Sequence, residues 1–175
     1  SFFIVLLSLL YTVTSQTLAK KDRQYYEQTG QIVWDIKTSE KVIALTFDDG
    51  PHPKYTSEVL DILGQYDAKG TFFLVGELAN ENPDVVFRMY EEGHELANHT
   101  YTHPFNATVP ELLEEIKKTN ETIFSITGYE PVLFRPVEGQ YTEELIDAVT
   151  KEGYKVIIWH LDTEDWIDPG VDKIV

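Results

Sequence analysis

The sequence predicts an α/β protein in which parallel strands are covered by helices, and three observations lead there. From Lys41 onward, short β-branched or aromatic runs alternate with amphipathic segments. The connections between them are short, as in strand–helix–strand units. Polar clusters stand just after the strand-like runs, at the strand ends where parallel sheets gather their ligands. An open doubly wound sheet and a barrel both satisfy this order of elements.

The elements follow in order. Ser1 to Leu10 reads SFFIVLLSLL, an uncharged apolar run. It is shorter than the ~20 residues that span a bilayer, and it fits the roughly 7–15-residue core of a signal peptide. Residues 1–19 are therefore expected to be the tail of an export signal or membrane anchor whose beginning is missing. The protein is therefore expected outside the cell or at its surface, exported by a signal peptide or held there by an N-terminal membrane anchor. Residues 20–40 are expected to be a linker and lead-in, because Lys20 to Gln31 is polar and charged.

KVIALTF (Lys41 to Phe47) reads as a buried strand running into a loop at Gly50, being β-branched and apolar. Ser57 to Tyr66 places Val59, Ile62 and Leu63 on one helical face. Thr71 to Val75 is the next strand, and Pro83 to Glu92 the next helix, stopped by Gly93. His94 to Asn98 is a short strand. Glu111 to Thr127 is a helix with Leu112, Ile116, Ile123 and Phe124 as its apolar side, ending at Gly128. Val132 to Pro136 is a strand, Thr142 to Glu152 a helix closed by Gly153, and Lys155 to Leu161 a further strand.

Composition narrows the function. At 175 residues and 42% hydrophobic content, the chain suits one globular domain. A formal net charge of −16 repels phosphate backbones, so nucleic acid is not an expected partner and a neutral polymer is the easier substrate. With no cysteine, thiolate zinc sites and cysteine nucleophiles are excluded, and any metal must be held by His, Asp or Glu.

The chemistry concentrates at the strand ends. Asp48 and Asp49 follow the first strand, His99 and His103 the third, Arg135 closes the fourth, and Asp162 and Asp165 follow the fifth. His99 and His103, four apart, can face the same side of a turn. Two neutral imidazoles and one carboxylate make three ligands with an open position, the layout of a catalytic zinc site. The second carboxylate of the Asp pair is then available as general base. His52 and His94 read as structural, Trp159 as core, and Tyr101 as a side chain between the two histidines.

TFDDGP (Thr46 to Pro51), HTYTH (His99 to His103), RPVEG (Arg135 to Gly139) and DTEDW (Asp162 to Trp166) resemble the first four motifs of the polysaccharide deacetylases, the NodB-homology family. The resemblance covers roughly Val42 to the C-terminus, so 41–175 is expected to be a deacetylase domain. It implies a distorted (β/α) barrel of parallel strands, truncated at its C-terminal end. It implies Asp48 as catalytic base, with Asp49, His99 and His103 holding Zn2+ or a similar ion such as Co2+. Arg135 would pair with the base and hold it ionised. Asp165 would orient or tune a catalytic side chain, and Trp166 would wall the cleft. Tyr101, Pro136, Glu138 and Gly139 would contact the sugar, with a backbone N–H of the RPVEG loop facing the oxyanion.

Two departures accompany it. The family commonly has an RPPYG-like third motif, whereas Val137 and Glu138 stand here. The family's fifth motif, an LxLxHD-like run carrying the general-acid His, has no counterpart before Val175, and His160 lies before the fourth motif. The expected function is removal of N-acetyl groups from an amino-sugar polymer such as peptidoglycan or chitin oligomers. The competing readings are a non-catalytic carbohydrate-binding remnant and an ester deacetylase acting on acetylated xylan.

Overall fold

The protein is described by a computed structural model covering residues 21–167 and 170–174. The export segment expected over residues 1–19 lies outside the described residues. Among those described, no helix is long and apolar enough to cross a membrane.

The strands are β1 (Ile32–Val33), β2 (Leu45–Gly50), β3 (Gly70–Leu74), β4 (Glu95–Asn98), β5 (Leu133–Phe134) and β6 (Lys155–Ile157). They form one parallel sheet in the order β1-β6-β5-β4-β3-β2. The helices are α1 (Arg23–Thr29), α2 (Tyr55–Gln65), α3 (Gly76–Glu81), α4 (Pro83–Glu91), α5 (Val109–Thr127), α6 (Glu143–Lys151) and a short α7 (Val171–Ile174). This is the α/β alternation the sequence predicts. β1 and β2 stand at opposite ends of the strand order, so the pairing among the described residues leaves the sheet open rather than closed into a barrel.

Side-chain alternation explains how the sheet is covered. Phe72 and Leu74 of β3 join Leu96 of β4 in a core with Leu60 and Leu63 of α2, Val86 and Met89 of α4, and Ile123 of α5. Phe73, between them and fully buried, points the other way. A second core joins Tyr26 of α1, Ile32, Phe134 and Val156 of the strands, Ile116 of α5, and Ile146 and Val149 of α6. Helix α5 thus roots in both cores. It is held at its start by a capping box between Thr108 and Glu111, and it stops at Gly128, whose φ of 74° suits a residue without a Cβ.

Several expectations are corrected here. The segment expected as a linker contains α1 and β1, with Tyr26 and Ile32 buried. Residues 41–44 are not strand, and Val42 and Ile43 are 63% and 81% exposed. The reason is register: β3 begins at Gly70, opposite Leu45, so the residues before Leu45 have no neighbour to pair with. β6 ends at Ile157 rather than Leu161, because its neighbours β1 and β5 supply only two paired residues each. Ile62 and Phe124 face outward, and α2 buries Leu60 beside Leu63 instead.

Candidate metal and catalytic centre

The two aspartates occupy a defect in the ladder. Phe47 pairs with Phe72 and Gly50 with Leu74, so β2 carries one residue more than β3 over this stretch. Such a bulge bends its strand and re-aims side chains. Asp49 takes φ 63° within it, and the neighbouring carboxylates part company. Asp48 turns to Arg135, and Asp49 turns to the histidines.

His99 follows β4 directly, its backbone N–H donating to the Leu74 carbonyl. Its ring is buried, and Nδ1 lies 2.7 Å from the Arg135 carbonyl oxygen. A carbonyl only accepts, so Nδ1 carries the proton and the Nε2 lone pair is left free. Nε2 of His99 lies 3.2 Å from Asp49 Oδ1, and Nε2 of His103 lies 3.1 Å from the same oxygen. The three ligand atoms all fall within 4.8 Å of one another. Tetrahedral ligands each about 2.0–2.1 Å from a zinc ion stand about 3.3 Å apart. The donor set and its spacing therefore fit such an ion. With no ion bound and Nε2 protonated, the hydrogen bond from His99 would hold Asp49 below the usual carboxylate range, aided by the charges of His99 and His103 and opposed by burial. An ion would take the place of that Nε2 proton.

Arg135 lies beneath this group. Its Nη1 donates to Asp48 Oδ1 at 2.5 Å and to Thr46 Oγ1 at 3.1 Å, and its Nε donates to the Ile157 carbonyl at 3.1 Å. Phe73 lies under the guanidinium at 3.9 Å. Nη2 is buried with no partner among the described residues. Burial pushes the Asp48 carboxyl up, while Arg135 and His99 pull it down, and the net direction is upward. Arg135 thus limits a rise caused by burial rather than depressing the pKa outright, which modifies the expectation from the sequence. An ionised carboxylate with a raised pKa is the stronger proton acceptor.

A sequence model of the polysaccharide deacetylase family matches residues 35–157. The chain belongs to this family. A peptidoglycan-N-acetylglucosamine deacetylase of Bacillus cereus is 40% identical over 156 residues, which span 87% of this chain and 73% of that protein. The crystal structure of a peptidoglycan N-acetylglucosamine deacetylase superposes with a TM-score of 0.81 at 35% identity, covering 85% of this chain and 71% of the other. A pseudoenzyme of carbohydrate esterase family 4 from Bacillus anthracis superposes with a TM-score of 0.76 at 28% identity, over 82% of this chain and 52% of the other.

Within this polysaccharide deacetylase fold, the remaining candidate residues stand as follows. Pro136 is buried after Arg135, and Glu138 and Gly139 form a short 3-10 turn with φ of 53° and 66°. Gly139 is needed there, because a Cβ would come within 2.7 Å of the Trp159 ring. Trp159 also packs on the core, as expected. Glu138 is exposed and accepts from Gln140 Nε2 at 3.0 Å. Pro136 and Glu138 line a cavity of about 230 Å3 with Thr100, Phe105 and Tyr141. The Tyr101 ring packs against Gly76 and lies 3.6 Å under the Lys118 ammonium, so α3 and α5 hold it. Asp165 begins a 3-10 turn and accepts from Thr163 in its own loop, and Trp166 is 78% exposed. The structure therefore joins Asp48, Asp49, His99, His103 and Arg135, and it leaves Asp165 and Trp166 in a separate loop. Thr46 and Asn98 carried no predicted role. Thr46 accepts from Arg135, and Asn98 Oδ1 accepts from the Thr100 N–H at 2.9 Å. Their place inside and beside the quoted motifs was the available signal.

Proposed function

We propose that this chain is a metal-dependent hydrolase that removes N-acetyl groups from an amino-sugar polymer, with peptidoglycan as the first candidate and chitin oligomers as the second. The observation that carries this reading is the convergence of Asp49, His99 and His103 on one point, with Asp48 held beside them by Arg135. The names of the relatives favour the amide of N-acetylglucosamine over an acetyl ester. Zn2+ is the ion best suited to a His2Asp set. An ion of this type supplies Lewis-acid polarisation of an acyl carbonyl and acidification of water.

The chain's own residues do the rest. Asp48, ionised beside Arg135, accepts the proton of the attacking water. Arg135 prevents the carboxylate from moving, because its guanidinium is anchored at Thr46 and Ile157 as well. In the turn after Pro136, the Gly139 and Gln140 N–H groups donate to the Pro136 and Val137 carbonyls. The oxyanion donor in this loop then falls to Val137 or Glu138, aimed where charge develops. The apolar run of residues 1–10 supports export to the cell surface, where such a polymer lies.

A second reading, carbohydrate binding without turnover, is favoured by one observation. Among the described residues, His160 pairs with Asp35 and Asp165 accepts from Thr163, rather than either joining Asp48, Asp49, His99, His103 or Arg135. The test is acetate release from peptidoglycan and from N-acetylglucosamine oligomers by the full chain, with and without zinc, beside Asp48→Asn and with acetylxylan as the ester comparison. Metal-dependent release that falls about 10²–10⁴-fold in Asp48→Asn supports the enzyme. Zinc binding without release from any substrate would move the binding reading ahead.

A further inference from the structure

We propose that Glu115, on α5, is a positioning residue that sets how tightly the His99–His103 loop binds its ion. The inference rests on the reading of Asp49, His99 and His103 as metal ligands. The loop between the two histidines is not self-supporting. Thr100 and His103 have φ of 69° and 56°, a region that side chains with a Cβ rarely occupy and that persists only where the surroundings enforce it. Between them, the Tyr101 and Thr102 N–H groups have no strand or helix to pair with. Both donate to Oε2 of Glu115, at 2.9 and 2.6 Å, and the Thr102 hydroxyl donates to the same oxygen at 3.1 Å. A carboxylate accepting from backbone N–H groups makes stronger bonds than a neutral acceptor.

The residue after Glu115 completes the grip. Asn98, immediately before His99, donates through Nδ2 to the Ile116 carbonyl at 2.7 Å. A single turn of α5 therefore holds the chain on both sides of His99, at Asn98 and at Tyr101–Thr102. That turn is fixed in its own right, since Ile116 is buried in the core. From the opposite side, the Thr100 and Tyr101 carbonyls accept from the Gly76 and Glu77 N–H groups. Removing the Glu115 carboxylate leaves the carbonyls anchored but frees the two N–H groups, so the loop can rotate away from the geometry that presents His103.

The experiment is zinc affinity by competition with a chromophoric chelator, together with thermal melting, for wild type, Glu115→Ala, Glu115→Gln and the neighbouring Glu114→Ala. Glu115→Ala is expected to lose about 10–100-fold in affinity, the range seen when support around metal ligands is removed. Glu115→Gln, which keeps an acceptor oxygen at the same reach, is expected to recover most of it, and Glu114→Ala to match wild type. Should Glu115→Ala fail to fold, Glu115→Asp, whose carboxylate is one methylene short, takes its place and should bind as weakly. Unchanged affinity with a lowered melting point would overturn the proposal and leave Glu115 a purely structural role. Equal loss in Glu115→Ala, Glu115→Gln and Glu114→Ala would overturn it too, because negative charge near the ion, and not the bonds to the loop, would then be the cause. A wild-type protein that binds no zinc would overturn the metal reading itself, and this inference with it.

Discussion

Arg135 is 2% exposed and answers the charge of Asp48 while also bonding to Thr46 of the same strand as Asp48 and to Ile157 of β6. A lysine has one point of charge and no planar fork, so it cannot make these contacts together. Arg135→Ala leaves Asp48 without its cation in a buried setting and is expected to cost roughly 3–5 kcal/mol of stability, read from urea unfolding. Arg135→Lys should fall between the two. A cost below about 1 kcal/mol, the value of an exposed pair, would show that water replaces the guanidinium. At this scale much was legible. Asp48, Asp49, His99, His103 and Arg135 each stand at a strand end, and parallel topology brings strand ends together whatever the intervening lengths. Asp165 also follows a strand, but β6 ends early and Asp165 lies eight residues beyond its last paired position, in a turn of its own. Glu115 was invisible because nothing in a helical sequence says which loop its carboxylate will meet.

At the scale of elements, the tightest constraint is where α3 begins. A Cβ on Gly76 would stand 2.4 Å from Tyr101 Cδ2, 2.6 Å from Thr119 Oγ1 and 3.1 Å from the Thr119 Cα. The last of these is backbone of α5 and cannot step aside. Gly76→Ala is expected to destabilise the fold by roughly 1–3 kcal/mol through overpacking, and to weaken zinc binding by displacing the loop that α3 holds. Thermal melting and a zinc titration read both effects. A stable variant with normal affinity would show that α3 and α5 separate freely. The longer helices were readable because caps and periodicity agree, as at Thr108, Glu111 and Gly128. α1, β1 and α3 were not. A two-residue strand leaves no alternation to detect, and the burial of Tyr26 and Ile32 depends on α6 and β6, more than a hundred residues away. Val42 and Ile43 mark the opposite failure, an apolar run whose exposure is decided by where its neighbour begins.

Across the whole molecule, pH is expected to act through His94, a buried imidazole outside the Asp49–His99–His103 group. His94 Nδ1 accepts from the Gly70 N–H at 3.2 Å, so the ring is neutral, and its buried Nε2 lies 3.6 Å from Glu92 Oε2. Burial holds its pKa below 6.5, with Lys69 and Arg88 pushing the same way and Glu92 opposing. The unfolded chain binds this proton more readily than the folded one. Its stabilising contribution is therefore complete above the ordinary value of 6.5 and is lost as pH falls toward the lowered folded value. Urea midpoints at pH 7 and about 5.5, on either side of the ordinary histidine range, should differ more in wild type than in His94→Gln. Equal differences would assign the acid sensitivity to other groups. The place of β2 carries a further consequence. Both carboxylates of the centre ride on a strand that, among the described residues, has β3 as its one hydrogen-bonded neighbour, whereas His99 extends from the interior strand β4. End strands open more cheaply than interior ones. If Asp49, His99 and His103 share an ion as proposed, it would act as a rivet across β3, and binding that needs the closed strand would suppress its opening in proportion to occupancy. The exchange rates of the amides in Leu45–Gly50 would then gauge how full the proposed metal centre is, readable without any substrate.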